Sequence, residues 1–387
     1  MRRIYLDHNA TCPLEDRVLS GMLPYLKENF GNASSLHSFG REAREAVEKA
    51  REEVAQLLNA EPSEIIFTSG GTEANNMAIK GYCWKNRDKG NHIITSSIEH
   101  HAVLNPMKQL EKQGFEVTYL PVDGRGRVSP EDLRKAITPR TILVSIMMAN
   151  NEVGTVEPIK ELVEVTREKG IAFHTDAVQA VGKIGVDVNL LGVDFLSLSA
   201  HKIYGPKGVG VLYIRKGRKI EPLITGGHHE RNLRAGTENV AGIVGLGIAS
   251  RIAREEMEEE GRRLRELRDR LKEGIQERIP HIRINGDPEN GLPNTLNISF
   301  EYVEGESIIL NLDLQGVAVS SGSACTSGSL EPSHVLMAMG VPPVTAQGSI
   351  RFSLGKGNTR EDIDRVLEIL PPIIEKLRRM SPLYPGK

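Results

Sequence analysis

Ser199, His201 and Lys202 close the stretch VDFLSLSAHKIYGPKG, where an apolar run of strand length gives way to a Gly-Pro turn. An ammonium group carried to the mouth of a core has to meet a partner there, because an unpaired charge near the interior is costly. Upstream, IAFHTDAVQAVG sets Asp176 at the end of another apolar run, with Gln179 three residues on. A third junction, TSGGTEANN (68–76), ends a strand in two glycines and opens a helix at Thr72 or Glu73. The first N–H groups of a helix and the positive end of its dipole attract anions, and glycines let the backbone approach a phosphate closely. No Gly-Lys-Ser/Thr follows, so this is not the nucleotide-binding P-loop.

Each feature alone has a plainer reading: a simple strand-to-helix turn, an aspartate capping a helix, a lysine decorating the surface. Brought together by strands that end side by side, a carboxylate, a reactive amine and a phosphate cradle are what pyridoxal 5'-phosphate requires. The amine forms a Schiff base, the carboxylate keeps the pyridine nitrogen protonated so that the ring draws electrons, and the helix terminus holds the phosphate.

The elements that must position these groups are legible. Strand-length runs (SEIIFTS, NHIITSS, EVTYLPV, TILVSIMM, IAFHTDA, DFLSLSA, GVGVLYI) alternate with helical patterns such as EAREAVEKAREEVAQLL and PIKELVEVTREKG. That alternation predicts an α/β fold with a mostly parallel sheet covered by helices on both faces, and ligands of such sheets sit at the carboxyl ends of the strands. A charged segment over 249–279, with Leu264, Leu267, Leu271 and Ile275 at helical spacing, predicts a solvated helix leading into a smaller α+β domain. That domain contains the strands HIRING, NTLNISF, GVAVSSG and SIRFSLG and a C-terminal helix from EDIDRVLEIL onward. The 387 residues exceed what one core usually holds. The expected division is a large domain over 15–249 and a small one formed by 1–14 and 250–387.

Composition narrows the partners. With 49 Lys+Arg against 51 Asp+Glu the net charge is −2, which gives no overall pull on nucleic acid or an anionic membrane. No run approaches the roughly 18 apolar residues of a membrane span, and no apolar signal region follows the N-terminus, so a cytoplasmic protein is expected. Cys12, Cys83 and Cys325 are odd in number and far apart, which fits neither a disulfide framework nor a closely spaced zinc pattern. The adjacent pairs His100-His101 and His228-His229 lack the i, i+4 geometry of a helical metal site.

The motifs SGGTEANN, SSIEHHAV, MMANNEVGTVEPI, HTDAVQ, SLSAHKIYGPKG, RAGTENV and SSGSACTSGSLEPSHVL, in that order and over nearly the whole chain, closely resemble the cysteine desulfurases of the NifS/IscS group, in the class V aminotransferase superfamily. The resemblance implies a pyridoxal-phosphate transferase of fold type I that works as a homodimer. It implies that Lys202 holds the cofactor and moves the substrate's α proton, that Asp176 pairs with the pyridinium nitrogen, and that Gln179 and Asn151 bond the phenolic oxygen. Phosphate contacts would come from Gly71, Thr72, Ser199 and His201, with Thr237 reaching in from the other subunit. His100, which the residues alone do not distinguish from His101, would stack on the ring and act as acid or base near the substrate sulfur. Arg351, helped by Asn151, would clamp the substrate carboxylate, a planar anion suited to a guanidinium.

Cys325 lies amid serines and glycines, SSGSACTSGS, a composition that favours a flexible chain able to carry a thiol. By resemblance it takes sulfur from L-cysteine as a persulfide, leaving L-alanine, and passes it to an iron-sulfur scaffold protein of the NifU/IscU type. There it would touch a nascent cluster only transiently, with no metal site in the free enzyme. Rival readings within the fold are a selenocysteine lyase and a class V aminotransferase; from another class, a thiol-carrying assembly protein without catalysis. Three departures from the family pattern stand out: Cys12 in ATCP, expected to fill space near the site; Ala33 in GNASS; and His228 in GGHHER, where a glycine is usual.

Overall fold

The computed structural model describes residues 3–321 and 332–385. Cys325 and the expected flexible tether lie outside them. Among the described residues a seven-stranded sheet runs in the order Ile65–Thr68, Gly210–Ile214, Phe195–Ser199, Ala172–Asp176, Thr141–Ser145, His92–Ser96, Glu116–Leu120. Gly210–Ile214 pairs antiparallel with both its neighbours, and the remaining pairings are parallel. Each of the seven strand runs read from the sequence contains one of these strands. Six are buried along their whole length, as a sheet covered on both faces demands; Glu116–Leu120, at one edge, begins exposed.

A second core gathers Ile4 and Leu6 with apolar residues between Leu264 and Ile374. It packs under an antiparallel sheet of Ser349–Ser353, Thr295–Phe300 and Ile282–Asn285, beside a parallel pair, Ile4–Tyr5 with Val317–Ala318. Among its described residues the run GVAVSSG thus contributes a two-residue strand and an isolated bridge from Ser320 to Arg351. The C-terminal helix Arg360–Met380 opens with a reciprocal cap between Thr359 and Asp362 and buries Ile363, Val366, Leu367, Leu370 and Ile374 at helical spacing.

The helix Val240–Arg278 is about 60 Å long and belongs to both cores. Its first half packs Ile243, Leu246 and Ile252 into the core of the large sheet, and its second half packs Leu264, Leu267, Leu271 and Ile275 into the other. It begins well before residue 249 because the glycines of GIVGLGIAS are packing residues here, not breakers. A Cβ at Gly247 would lie 2.6 Å from the Ala50 Cα, and one at Gly245 would lie 2.6 Å from the Met22 sulfur.

Candidate active site

The carboxyl ends of the sheet strands meet in a cleft of about 300 Å³. The strand Ile65–Thr68 runs through Ser69 and Gly70 into the helix Gly71–Lys85, whose start no side chain caps. The first N–H groups of that helix have no carbonyl one turn back to meet, which leaves them to an anion. Gly71 is required by close approach, since a Cβ there would come within 2.6 Å of a Val178 methyl. Glu73 braces the turn: it accepts from the Ser69 N–H at 2.8 Å and from Arg234 at 2.9 Å. Gly71, Thr72, Ser199 and His201 all line the cleft. Burial, aided by Lys202, pushes His201 down to about 4, so the ring is neutral, with one nitrogen 3.1 Å from the Thr11 hydroxyl.

Asp176 ends the strand Ala172–Asp176, and both its oxygens are held. Oδ2 accepts from Asn75 Nδ2 at 2.6 Å and Oδ1 from the Val178 N–H at 3.0 Å. These bonds fix the carboxylate and leave each oxygen a lone pair for a ligand N–H. Lys202, in the short turn Ala200–Lys202, reaches the same cleft, its amine donating to the carbonyls of Asn9 and of Ala10, the latter at 2.7 Å. Gln179 lines the cleft beside them.

His100 and Arg351 come to this cleft from other directions. His100 caps the helix His101–Glu111, its Nδ1 accepting the Ala102 N–H at 3.0 Å. That bond places the proton of the neutral ring on Nε2. Burial lowers its pKa, Asp176 opposing and Lys202 adding to the effect. The fold separates the two adjacent histidines: His100 lines the cleft, whereas His101 packs on His334 with ring centres 5.1 Å apart. Arg351, buried on the strand Ser349–Ser353, donates to the Asn151 carbonyl at 3.0 Å and pairs with Asp7 at 2.6 Å, while its Nε has no partner among the described residues. Two bonds on five donors leave room for a carboxylate. Thr237 is exposed and does not line this cleft.

Four further residues shape the site without having been singled out in the sequence. Asn75 holds Asp176, Asp7 pairs with Arg351, and Lys183 bonds Gln179. Asn9 ties the cleft together: its side chain donates to Asn151 and Thr295 and accepts from Asn294 and Lys183, and its carbonyl accepts from Gln179 and Lys202. Asn75 lies within SGGTEANN, so that signal was present as a motif position without an assigned role, and Asn9 lies just before the ATCP segment. Cys12 is buried, and burial raises its thiol pKa, which suits a packing residue. His228 does not need the glycine it replaces: left-handed backbone falls on Glu230, Arg231 and Asn232 instead. Among the described residues no group of three His, Cys, Asp or Glu is placed to hold a metal ion.

These groups fit pyridoxal phosphate: an uncapped helix start for the phosphate, an anchored carboxylate for the ring nitrogen, and an amine on the same cleft. A family model described as aminotransferase class-V matches residues 4–366. A cysteine desulfurase IscS of Dictyoglomus turgidum is 61% identical over 98% of this chain and 97% of its own length, and one of Methanosarcina thermophila is 58% identical over 99% and 95%. Among solved structures, a NifS-like protein aligns with a TM-score of 0.92 at 45% identity, covering 97% of this chain and 100% of its own. A structure of SspA in complex with cysteine aligns at 0.81 and 40%, covering 91% and 98%. The chain belongs to the class-V aminotransferase family, in the branch that holds these cysteine desulfurases.

Proposed function

We propose that this pyridoxal-phosphate-dependent cysteine desulfurase converts L-cysteine to L-alanine with the residues assigned above, Cys325 leaving with the sulfur as a persulfide. The observation that carries the reading is the convergence of Lys202, Asp176 and the Gly71 helix start on one cleft that also receives Arg351. Bound cofactor supplies an electron-withdrawing ring that acidifies the substrate's α carbon.

The chain's own groups do the rest. Lys202 leaves its two carbonyl partners to hold the cofactor covalently and later moves the α proton. Asp176, which would keep the ring nitrogen protonated, is held still by Asn75 and Val178. Gln179 and Asn151 meet the phenolic oxygen, and the unused N–H groups of Arg351 meet the substrate carboxylate. His100 with its proton on Nε2 is set to donate near the sulfur; to accept a proton there first, it would have to give up its bond to Ala102. The Cys325 thiolate attacks the substrate sulfur, so the C–S bond breaks as the S–S bond forms, and two thiols become one persulfide and alanine.

The acceptor we assign is an iron-sulfur scaffold protein, supported by the length of the Ser-rich stretch around Cys325 and by the likeness to the NifS/IscS group. A homodimer is supported by the exposed Leu19, Leu23 and Leu26, by the stacked, exposed Phe30 and Phe39, and by Thr237, which is exposed and does not line its own cleft. The domain division at 15–249 against 1–14 with 250–387 accords with two cores that share one helix. Buried free thiols at Cys12 and Cys83 suit a cytoplasmic setting.

Incubation with L-cysteine and reductant tests the reaction. The expected result is alanine and sulfide in equal amounts from a protein of dimeric mass, with Cys325→Ser binding cofactor normally while passing no sulfur to an acceptor. A keto acid in place of alanine would make it a transaminase, and full activity as a monomer would remove the dimer.

A further inference from the structure

Behind Lys202 lies a cavity of about 30 Å³ lined by Lys183, Cys12, His8 and Tyr204, and the mechanism above uses none of these four. Lys183 is the one that reaches toward the cofactor side. Its amine donates to Gln179 Oε1 at 2.6 Å and to Asn9 Oδ1 at 3.2 Å. Loss of solvent pushes its pKa from 10.5 down to about 7. Charged or neutral, the amine still has two N–H groups for these two oxygens.

The consequence falls on the Gln179 amide. Nε2 donates to the Asn9 carbonyl at 2.9 Å, an oxygen that can only accept, while Oε1 faces Lys183. The flipped amide would set its oxygen against the Asn9 carbonyl, losing that bond whatever the charge on Lys183, and would set its NH₂ against an amine that in its charged form cannot accept. With Oε1 and one N–H spoken for, the amide has a single N–H left, and Gln179 lines the cleft. Without Lys183 only the Asn9 carbonyl opposes a turn of the amide that would bring its oxygen toward the cleft, where it would repel an oxygen anion.

We propose that Lys183 is a positioning residue that locks Gln179 in the orientation presenting an N–H to the phenolic oxygen of the cofactor. The inference rests on the assignment of Gln179 to that oxygen made above.

The test is a cycle between a variant and a ligand atom. Apoprotein, wild type and Lys183→Met, is titrated with pyridoxal 5'-phosphate and with its 3-deoxy analogue, which lacks the phenolic oxygen, and binding is followed by absorbance and equilibrium dialysis. Losing one well-oriented bond to a charged oxygen predicts that the variant binds the natural cofactor about tenfold more weakly, while affinity for the analogue changes less than about twofold. Lys183→Leu removes the same donor and enters the same cycle if the methionine variant does not accumulate. Equal weakening of both ligands would mean that Lys183 only fills space, and no weakening of either would mean it does nothing for the site; both overturn the proposal. If wild type binds the two ligands equally well, the Gln179 assignment itself fails and the inference falls with it.

Discussion

The wall of the cleft that carries Lys202, Asp176 and the Gly71 helix start is assembled from ends of neighbouring strands, each placed by a few residues of local chain. The other wall, where Asn9, Ala10 and Arg351 line the cleft, is held by bonds to Asn151, Thr295 and Asp7, between residues 142 to 344 positions apart. Asn9 is where the two walls join. On the roles proposed above, the sheet wall carries the groups that would do chemistry on the cofactor, and the joint would decide how Arg351 faces them. Damage to the first should therefore appear in rate with the fold intact, and damage to the second in stability and substrate affinity together.

The largest effect is expected from Asp176→Asn, which removes charge while keeping an acceptor for the Val178 N–H. Loss of α-proton should slow by about a hundredfold or more, within the range seen when a buried electrostatic partner of a reacting group is lost. Single-turnover kinetics with α-deuterated cysteine would read this step directly, and an unchanged deprotonation rate would remove Asp176 from its role. Next comes Asn9→Ala, which deletes four side-chain hydrogen bonds and leaves buried partners unmet. It should cost about 2–4 kcal/mol by urea unfolding and raise KM more than it lowers kcat. A rate loss without a stability loss would break the distinction between wall and joint.

The smallest effect is a pH dependence built into the sheet wall. Glu99, wholly buried beside His100, accepts from Ser96 and the Met147 N–H, and burial pushes it from 4.5 up to about 8. The folded chain keeps this proton in a range where the unfolded chain has released it, so stability falls as pH rises from the ordinary carboxylate range through about 8. Glu99→Gln should reduce the loss of stability between about pH 6 and pH 9, measured by urea midpoints. An unaltered slope would show that Glu99 does not titrate in this window.

The same contrast explains what could be read from the chain. Period and strand-end position suffice for the sheet wall, because an apolar run followed by a Gly-containing turn fixes where its last side chains go. The rise of the long helix at Val240 was hidden by glycines whose role is contact with Ala50 and Met22, a property of the partner surface and not of the local sequence. The resemblance pointed to Arg351 as a substrate clamp, yet gave no sign of its pairing with Asp7, since the two meet only when the first and last parts of the chain fold into one core. Asn9 and Lys183 escaped for the same reason: a polar residue's partners across a fold leave no periodic trace.

The central claim is that Lys202 is the covalent anchor of pyridoxal phosphate at the junction of these walls. Borohydride reduction of the cofactor-loaded protein, followed by peptide mapping, tests it most directly. A stable pyridoxyl label on Lys202, and on no other lysine, is the predicted result; a label on Lys183 or on any other lysine, with position 202 unmodified, would contradict the account.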